Sequence, residues 1–192
     1  MVRRRRPSAR SPKVTDTLDS RAGSTVHAPE REGRQVALAA VFEAEFGQRT
    51  ATDALRRRLA EGDIGDRAGV HATRIVEAVV AYRDSIDVRI EEVAPTYPVV
   101  QLARIDRSLL RCGVGELLHC PTTPARVAIS EWVELARTYS GEPTRRLMNG
   151  ALGRVAKQAA ESERTERDET SRQSPEGSTD TQTQADTEGP AE

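Results

Sequence analysis

The stretch PARVAISEWVELAR, residues 124–137, has the most distinct helical pattern of this sequence. Thr123 is a residue type that caps helices, and Pro124 follows at the first helical position, where proline is well tolerated. Apolar side chains then recur three and four residues apart: Val127, Ala128, Trp132, Leu135 and Ala136. Because so broad an apolar face has to be buried against other elements, this stretch predicts the centre of a helical domain.

The same spacing of apolar residues continues outward in both directions. Helices are expected over about residues 34–47, 52–62, 66–94, 98–102, 106–120 and 124–139, and from 143 onward. Thr52 and Asp106 are the expected N-caps of two of them. Seven helices with short loops and no alternating strand pattern predict a compact all-α domain.

The two ends of the chain differ from this body in composition and charge. The formal net charge of −1 hides a basic segment, residues 1–30, with seven bases and three acids, and an acidic one, residues 158–192, with three bases and ten acids. Both are poor in large apolar side chains, so burial cannot offset the entropy cost of ordering them. We expect a disordered basic arm at 1–30, a folded domain at 31–157 and a disordered acidic tail at 158–192.

Composition also excludes several classes of protein. No apolar stretch approaches the ~18 residues of a transmembrane helix, and the basic arm lacks the apolar run of a secretory signal. Cys112 and Cys120 share one predicted helix, too far apart for a disulfide, and fit as core residues of a cytoplasmic protein. No histidine lies near a cysteine pair, and no phosphate-binding glycine loop occurs. The sequence therefore predicts no metal, no cofactor and no enzymatic activity.

Clusters of arginine favour a binding role instead. Residues 3–6 and 56–58 are runs of arginine, Arg145 and Arg146 are adjacent, and the arginines at 104, 107 and 111 share one helix face. The clusters in the body fit either a solvated surface or an RNA site. The run at 3–6 fits either a solubilising extension or a phosphate contact, since a polyanion would relieve the repulsion between its charges.

Three segments, in this order, resemble the bacterial NusB family. The first, RQVALAAVF at residues 34–42, is similar to the opening helix of that family. The second, IDRSLLRCGVGELL at 105–118, resembles its Asp-Arg-x-x-Leu-Arg…Glu-Leu helix. The third joins the stretch at 124–137 to MNGAL at 148–152. The resemblance covers about residues 31–157 and implies the family's fold, an all-helical pair of small bundles.

The resemblance also implies a role in transcription antitermination. Members of the family bind the boxA element of ribosomal-operon RNA together with the ribosomal protein NusE, and the complex joins RNA polymerase. At the matching positions, the RNA surface would consist of Arg31, Arg34, Phe42, Arg145, Arg146, Leu147 and Asn149. The surface that faces NusE would lie around Asp106, Arg107 and Glu116.

Several of these residues also fit a purely structural role. Phe42 fits a core position as well as a base-stacking platform. Asn149 fits a packing hydrogen bond beside Gly150 as well as an RNA contact. Leu147, where the family has Phe, fits a packing position, and Glu116 fits an ordinary surface position on its helix.

The chain departs from the family pattern where RNA is expected to bind. Glu30 and Glu32 interrupt a stretch that is rich in arginine in the family, and carboxylates repel phosphate. A second function therefore stays open, a protein–protein adaptor that keeps the NusE surface but has weakened or lost RNA sequence recognition. The basic arm is then expected to compensate for the missing cations, and the acidic tail either to solubilise the chain or to compete with RNA for the arginines.

Overall fold

The computed structural model describes residues 28–173, and all regular structure within them is helical. Seven α-helices follow in order: α1 (Ala28–Ala44), α2 (Ala51–Ala60), α3 (Asp66–Ala81), α4 (Arg83–Val93), α5 (Arg104–His119), α6 (Ala125–Tyr139) and α7 (Glu142–Gln173). A short 3-10 helix, Val99–Gln101, lies between α4 and α5. The predicted all-α fold class is confirmed.

One predicted helix is in fact two. The apolar spacing over residues 66–94 predicted a single helix, but Tyr82 has φ −116° and ψ 21° and separates α3 from α4. Its N–H donates to the Ala78 carbonyl at 3.0 Å, and its carbonyl accepts from the Ile86 N–H at 2.9 Å. Tyr82 thus ends one helix and begins the next. The turn expected at 98–102 is the 3-10 helix.

All three predicted N-caps are displaced. Helix α6 begins at Ala125, so Pro124, which has no side-chain capping hydrogen bond, occupies the N-cap position expected for Thr123. Thr50, not Thr52, caps α2, since its hydroxyl accepts from the Asp53 N–H at 3.1 Å. Helix α5 begins at Arg104, so Asp106 lies inside the first turn instead of preceding it. Its carboxylate accepts a hydrogen bond from Thr144 and so joins α5 to α7.

Helix α7 continues past the expected end of the domain. Residues 158–173, which we expected to lack regular structure, belong to this helix. They contain no large apolar side chain, but they are rich in Ala, Glu and Arg, which favour the helix once a preceding turn has nucleated it. The rest of the two expected tails, residues 1–27 and 174–192, lies outside the described residues.

A continuous apolar core receives side chains from every helix of the domain. Trp132 of α6, Ile75 of α3 and Leu109 of α5 are each fully buried. Helix α5 is central, because it contacts α1, α3, α4 and α6. Cys112 and Cys120 are buried free thiols, as expected. Among the described helices, none is both long and apolar enough to cross a bilayer.

Candidate functional site

The start of α7 presents two adjacent arginines, here called the α7 arginine pair (Arg145 and Arg146). Arg145 donates to Glu142 through Nε and Nη2, each at 2.8 Å, and Arg146 Nε donates to the same carboxylate at 3.2 Å. The hydrogen bond from Arg145, followed by that from Arg146, lowers the pKa of the half-exposed Glu142 carboxyl to about 2. These contacts lie in water, where such pairs are weak, so an incoming phosphate can exchange with Glu142.

The two neighbouring residues of the predicted RNA surface differ in exposure. Leu147 is half-buried and packs against the apolar core, as its structural interpretation predicted. Asn149 is exposed and makes no packing hydrogen bond among the described residues. The side chain of Asn149 is therefore available to a ligand beside the α7 arginine pair.

Arg31 and Arg34 were expected to act together, and the structure separates them. Arg31 is exposed on the first turn of α1, with Nε 3.8 Å from Glu131 Oε2. Arg34 is fully buried. Its Nε donates to Glu116 Oε2 at 2.9 Å and its Nη2 to Glu116 Oε1 at 2.7 Å. We correct the expectation that Arg34 contacts RNA, because a buried guanidinium already paired with a carboxylate cannot reach a phosphate.

Glu116 is also fully buried, which corrects the expectation that it faces a protein partner. We call Arg34, His71, Glu116 and Trp132 the buried quartet. Trp132 Nε1 donates to Glu116 Oε2 at 2.6 Å, and His71 Nε2 lies 3.1 Å from Glu116 Oε1. Burial raises the pKa of Glu116, but the neighbouring His71 and the paired Arg34 outweigh it and lower that pKa to about 2. Glu116 is thus an internal anion that joins α1, α3, α5 and α6, not a surface residue that faces a partner.

Two positions within the interrupted arginine-rich stretch, Glu30 and Gly33, contact α3. A Cβ on Gly33 would lie 2.7 Å from the Ala68 carbonyl oxygen, so no larger residue fits where α1 crosses α3. Glu30 pairs with Arg67 of α3 across the same contact. These two positions of the motif are therefore used to dock α1 on α3.

A second, partly exposed cluster lies where the end of α1 meets the start of α5. We call it the α5 cluster (Phe42, Phe46, Arg104 and Arg107). Asp106, on the same turn of α5, hydrogen-bonds with Ser140 and Thr144 instead. Phe42 and Phe46 contact edge to face with ring centroids 5.3 Å apart, and the Arg104 guanidinium carbon lies 4.6 Å from the Phe46 centroid. Arg107 pairs with Glu45. Phe42 thus lies with the residues predicted to face a protein partner.

Sequence reasoning missed three members of these groups. Phe46 was not predicted as a site residue, although its i, i+4 spacing from Phe42 was a signal for a shared stripe. Arg104 was noted only in the arginine cluster at 104, 107 and 111, not as a residue that faces a protein partner. His71 carried no local signal at all, because its partner Glu116 is 45 residues away in the sequence. Over residues 28–173, no group of His, Cys, Asp and Glu side chains could hold a metal ion.

The sequence and the fold of this chain are both similar to those of known proteins. A model of the NusB family matches residues 31–157. The transcription antitermination protein NusB of Dehalococcoides mccartyi (strain CBDB1) is 36% identical over 131 residues, which are 68% of this chain and 92% of that protein. A structure of T. maritima NusB is 29% identical with a TM-score of 0.63, covering 68% of this chain and 92% of that one. A crystal structure of antitermination factors NusB and NusE in complex with dsRNA shares the fold, at 22% identity and a TM-score of 0.61, over 67% of this chain and 96% of that one.

Proposed function

The chain belongs to the NusB family of transcription antitermination factors, which are not enzymes, and we propose that it acts by binding boxA-type RNA of ribosomal operons together with the ribosomal protein NusE. A structure with the same fold pairs NusB with NusE and dsRNA, and this supports both classes of partner. The complex then joins RNA polymerase in the cytoplasm.

The proposed RNA surface is the start of α7 together with Arg31. The α7 arginine pair supplies two guanidiniums that can each take a phosphate bidentately. Arg31 adds an exposed cation, whose contact with Glu131 is long at 3.8 Å. Asn149 supplies an exposed amide that can read a base edge, and Leu147 holds this turn against the core. The guanidiniums set affinity, and the amide contributes to sequence recognition.

The proposed NusE surface is the α5 cluster. Phe46 is 52% exposed, and its contacts with Phe42 and Arg104 make it part of a continuous aromatic and cationic patch. The Arg104 guanidinium lies over the Phe46 ring, and Arg107, paired with Glu45, lies one helix turn further along α5. An aromatic centre with an arginine rim is the composition that dominates binding energy in many interfaces. Phe42 belongs to this surface in the proposal, not to the RNA surface.

A hydrogen bond between the two surfaces carries the proposal. Asp106 Oδ1 accepts from the Thr144 hydroxyl at 3.1 Å, and Ser140 donates to the same oxygen. Asp106 lies between Arg104 and Arg107 in the first turn of α5, and Thr144 directly precedes the α7 arginine pair. The two proposed surfaces are thus joined by a direct contact, through which binding of one partner can strengthen binding of the other.

Titration of a labelled boxA-type RNA into the full chain, with and without NusE, tests this function. We expect binding of the boxA sequence by the chain itself and tighter binding when NusE is present. A scrambled RNA of the same length is the control for nonspecific charge attraction. Equal affinity for the two RNAs under both conditions would contradict sequence-specific recognition.

The adaptor function is the second candidate, and one observation favours it. Several cations of the expected RNA surface already have acidic partners: Arg34 pairs with Glu116, and Arg145 and Arg146 share Glu142. In that case the chain would bind NusE through the α5 cluster and hold RNA without sequence preference. RNA binding that requires NusE and does not distinguish boxA from the scrambled sequence is the result that selects the adaptor.

A further inference from the structure

An open cleft of about 430 Å³ lies beside Arg146 of the α7 arginine pair. Six residues line it: Tyr97, Pro143, Arg146, Leu147, Gly150 and Arg154. They include two arginines and no acid. We propose that this cleft takes one unpaired nucleotide of the RNA, with Tyr97 as the stacking platform for its base. The inference rests on the RNA-binding function proposed above.

Tyr97 is held in a rigid turn with its ring toward solvent. Its N–H donates to the Ala94 carbonyl at 2.9 Å, which closes the turn after α4. Pro98 follows and restricts the backbone of Tyr97 to extended conformations. Val99, at the start of the 3-10 helix, is buried and anchors the segment to the core. Tyr97 as a whole is 51% exposed, so its backbone is held in place while part of the residue stays uncovered.

Arg154 forms the far side of the cleft. Its Nε donates to the Val93 carbonyl at 2.7 Å, which ties α7 to the end of α4 and fixes the guanidinium. A Cβ on Gly150 would lie 3.5 Å from Arg154 Nη1, so the guanidinium lies directly on the helix surface at that glycine. Its two Nη groups are hydrogen-bond donors at the wall of the cleft. They are suited to the carbonyl oxygens and ring nitrogens of a base edge.

Arg146 supplies a contact for the phosphate of the nucleotide. Its side chain is 75% exposed, and its contact with Glu142 is through Nε alone, so its Nη groups can turn toward a phosphate. The cleft thus offers an aromatic face for a base, a fixed guanidinium for the base edge and a second guanidinium for the backbone. Single-stranded RNA is recognised by this combination, since its unstacked bases can be placed on aromatic side chains.

Substitutions of Tyr97 test whether an RNA base stacks on its ring. Tyr97→Ala and Tyr97→Leu should each weaken binding of a single-stranded boxA-type RNA by about tenfold, since a base–aromatic stack is worth ~1–3 kcal/mol. Tyr97→Phe should bind within twofold of the unaltered chain, because the ring is kept. Tyr139→Ala is the matched control, since Tyr139 is a similarly exposed tyrosine on α6 at 47% exposure.

The RNA itself supplies the second half of the test. An abasic site introduced at each position in turn should weaken binding to the unaltered chain at one position by about as much as Tyr97→Ala does. The Tyr97→Ala variant should bind this abasic RNA as tightly as it binds intact RNA, because the stacking contact is already lost. Unaltered RNA affinity in Tyr97→Ala and Tyr97→Leu overturns the cleft and leaves the proposed function intact. A chain that binds no RNA at all overturns both.

Discussion

Two arginine–glutamate contacts in this molecule have the same chemistry and opposite surroundings. Arg34 and Glu116 are both fully buried, whereas the side chains of Arg145 and Glu142 are 35% and 47% exposed. The pKa of the carboxyl is lowered to about 2 in both. Protonation behaviour therefore does not distinguish a contact that holds the fold from one that a ligand can replace. Access of water and ligand distinguishes them.

Arginines in segments that resemble RNA-binding motifs can have different roles, one in packing and one in ligand binding. Arg34 is part of the opening motif that resembles an RNA-binding segment, yet it pairs inside the core with a residue 82 positions later. The α7 arginine pair has no such anchor and contacts only a carboxylate on its own helix turn. We infer that the Arg34–Glu116 contact fixes the relative positions of the helices. The α7 arginine pair can exchange its contact with Glu142 for one with a phosphate.

The largest expected effect is on stability. Glu116→Gln leaves the Arg34 charge buried without its counterion, which typically costs ~3–5 kcal/mol in the free energy of unfolding. Urea denaturation followed by circular dichroism measures this. Glu142→Gln is the matched control and should change stability little, because its carboxylate lies in water.

A double variant keeps this test informative if Glu116→Gln fails to fold. Arg34→Met combined with Glu116→Met removes both charges, so it should be more stable than Glu116→Gln despite having more substitutions. If Glu116→Gln is no less stable than Glu142→Gln, the buried quartet does not hold the helices together.

Acid should weaken the buried contact in a defined pH range. Glu116 has an ordinary pKa of 4.5 when unfolded and about 2 when folded, so the unfolded chain binds the proton more readily. Its contribution, a few kcal/mol, is complete above about pH 5 and is lost as pH falls toward 2. The difference in unfolding free energy between the unaltered chain and Glu116→Gln should therefore shrink between pH 5 and pH 2. A difference that stays constant over this range would contradict the assignment.

The exposed contact should determine RNA affinity instead. Arg145→Ala combined with Arg146→Ala should weaken boxA-type RNA binding by about tenfold and reduce the slope of log affinity against log salt by about 1.4, as expected for two phosphate contacts to a single strand. Arg56→Ala combined with Arg137→Ala removes the same charge from two exposed ion pairs elsewhere. Equal losses in the two double variants would mean that only the total charge matters.

The smallest expected effect has the opposite sign. Glu142→Gln removes the carboxylate that competes with phosphate for the α7 arginine pair, so RNA affinity at low salt should rise by about two- to fivefold. Fluorescence anisotropy at two salt concentrations measures the change, and the gain should diminish at high salt because exposed charges are screened. Weaker binding in this variant would show that Glu142 orients the arginines rather than competing with RNA.

Local sequence patterns were enough to predict the helices and the core. They could not predict contacts between residues that are far apart in the sequence. The spacing around Trp132 and Leu135 was enough to place α6 in the core, because burial follows the helix period. The break at Tyr82 was missed because the apolar spacing continues through it. The sequence showed the departure from the family at Glu30, but not that this residue pairs with Arg67 across the α1–α3 contact.

The candidate site was predicted in part for the same reason. The α7 arginine pair and Asn149 lie close together in the sequence, and the structure keeps their side chains accessible. Arg34 and Glu116 were expected on two different surfaces, since nothing local indicates that they pair. Tyr97 and Arg154 come from separate elements, and only the packing of α4 against α7 brings them to one cleft.

The most direct test of the contrast between the two contacts is an NMR titration of arginine Nε–Hε signals with boxA-type RNA. We expect the signals of Arg145 and Arg146 to shift as RNA is added, while the signal of Arg34 stays unchanged and protected from solvent exchange. A shift of the Arg34 signal equal to that of the α7 arginine pair, or no shift at Arg145 and Arg146 under saturating RNA, would contradict the account.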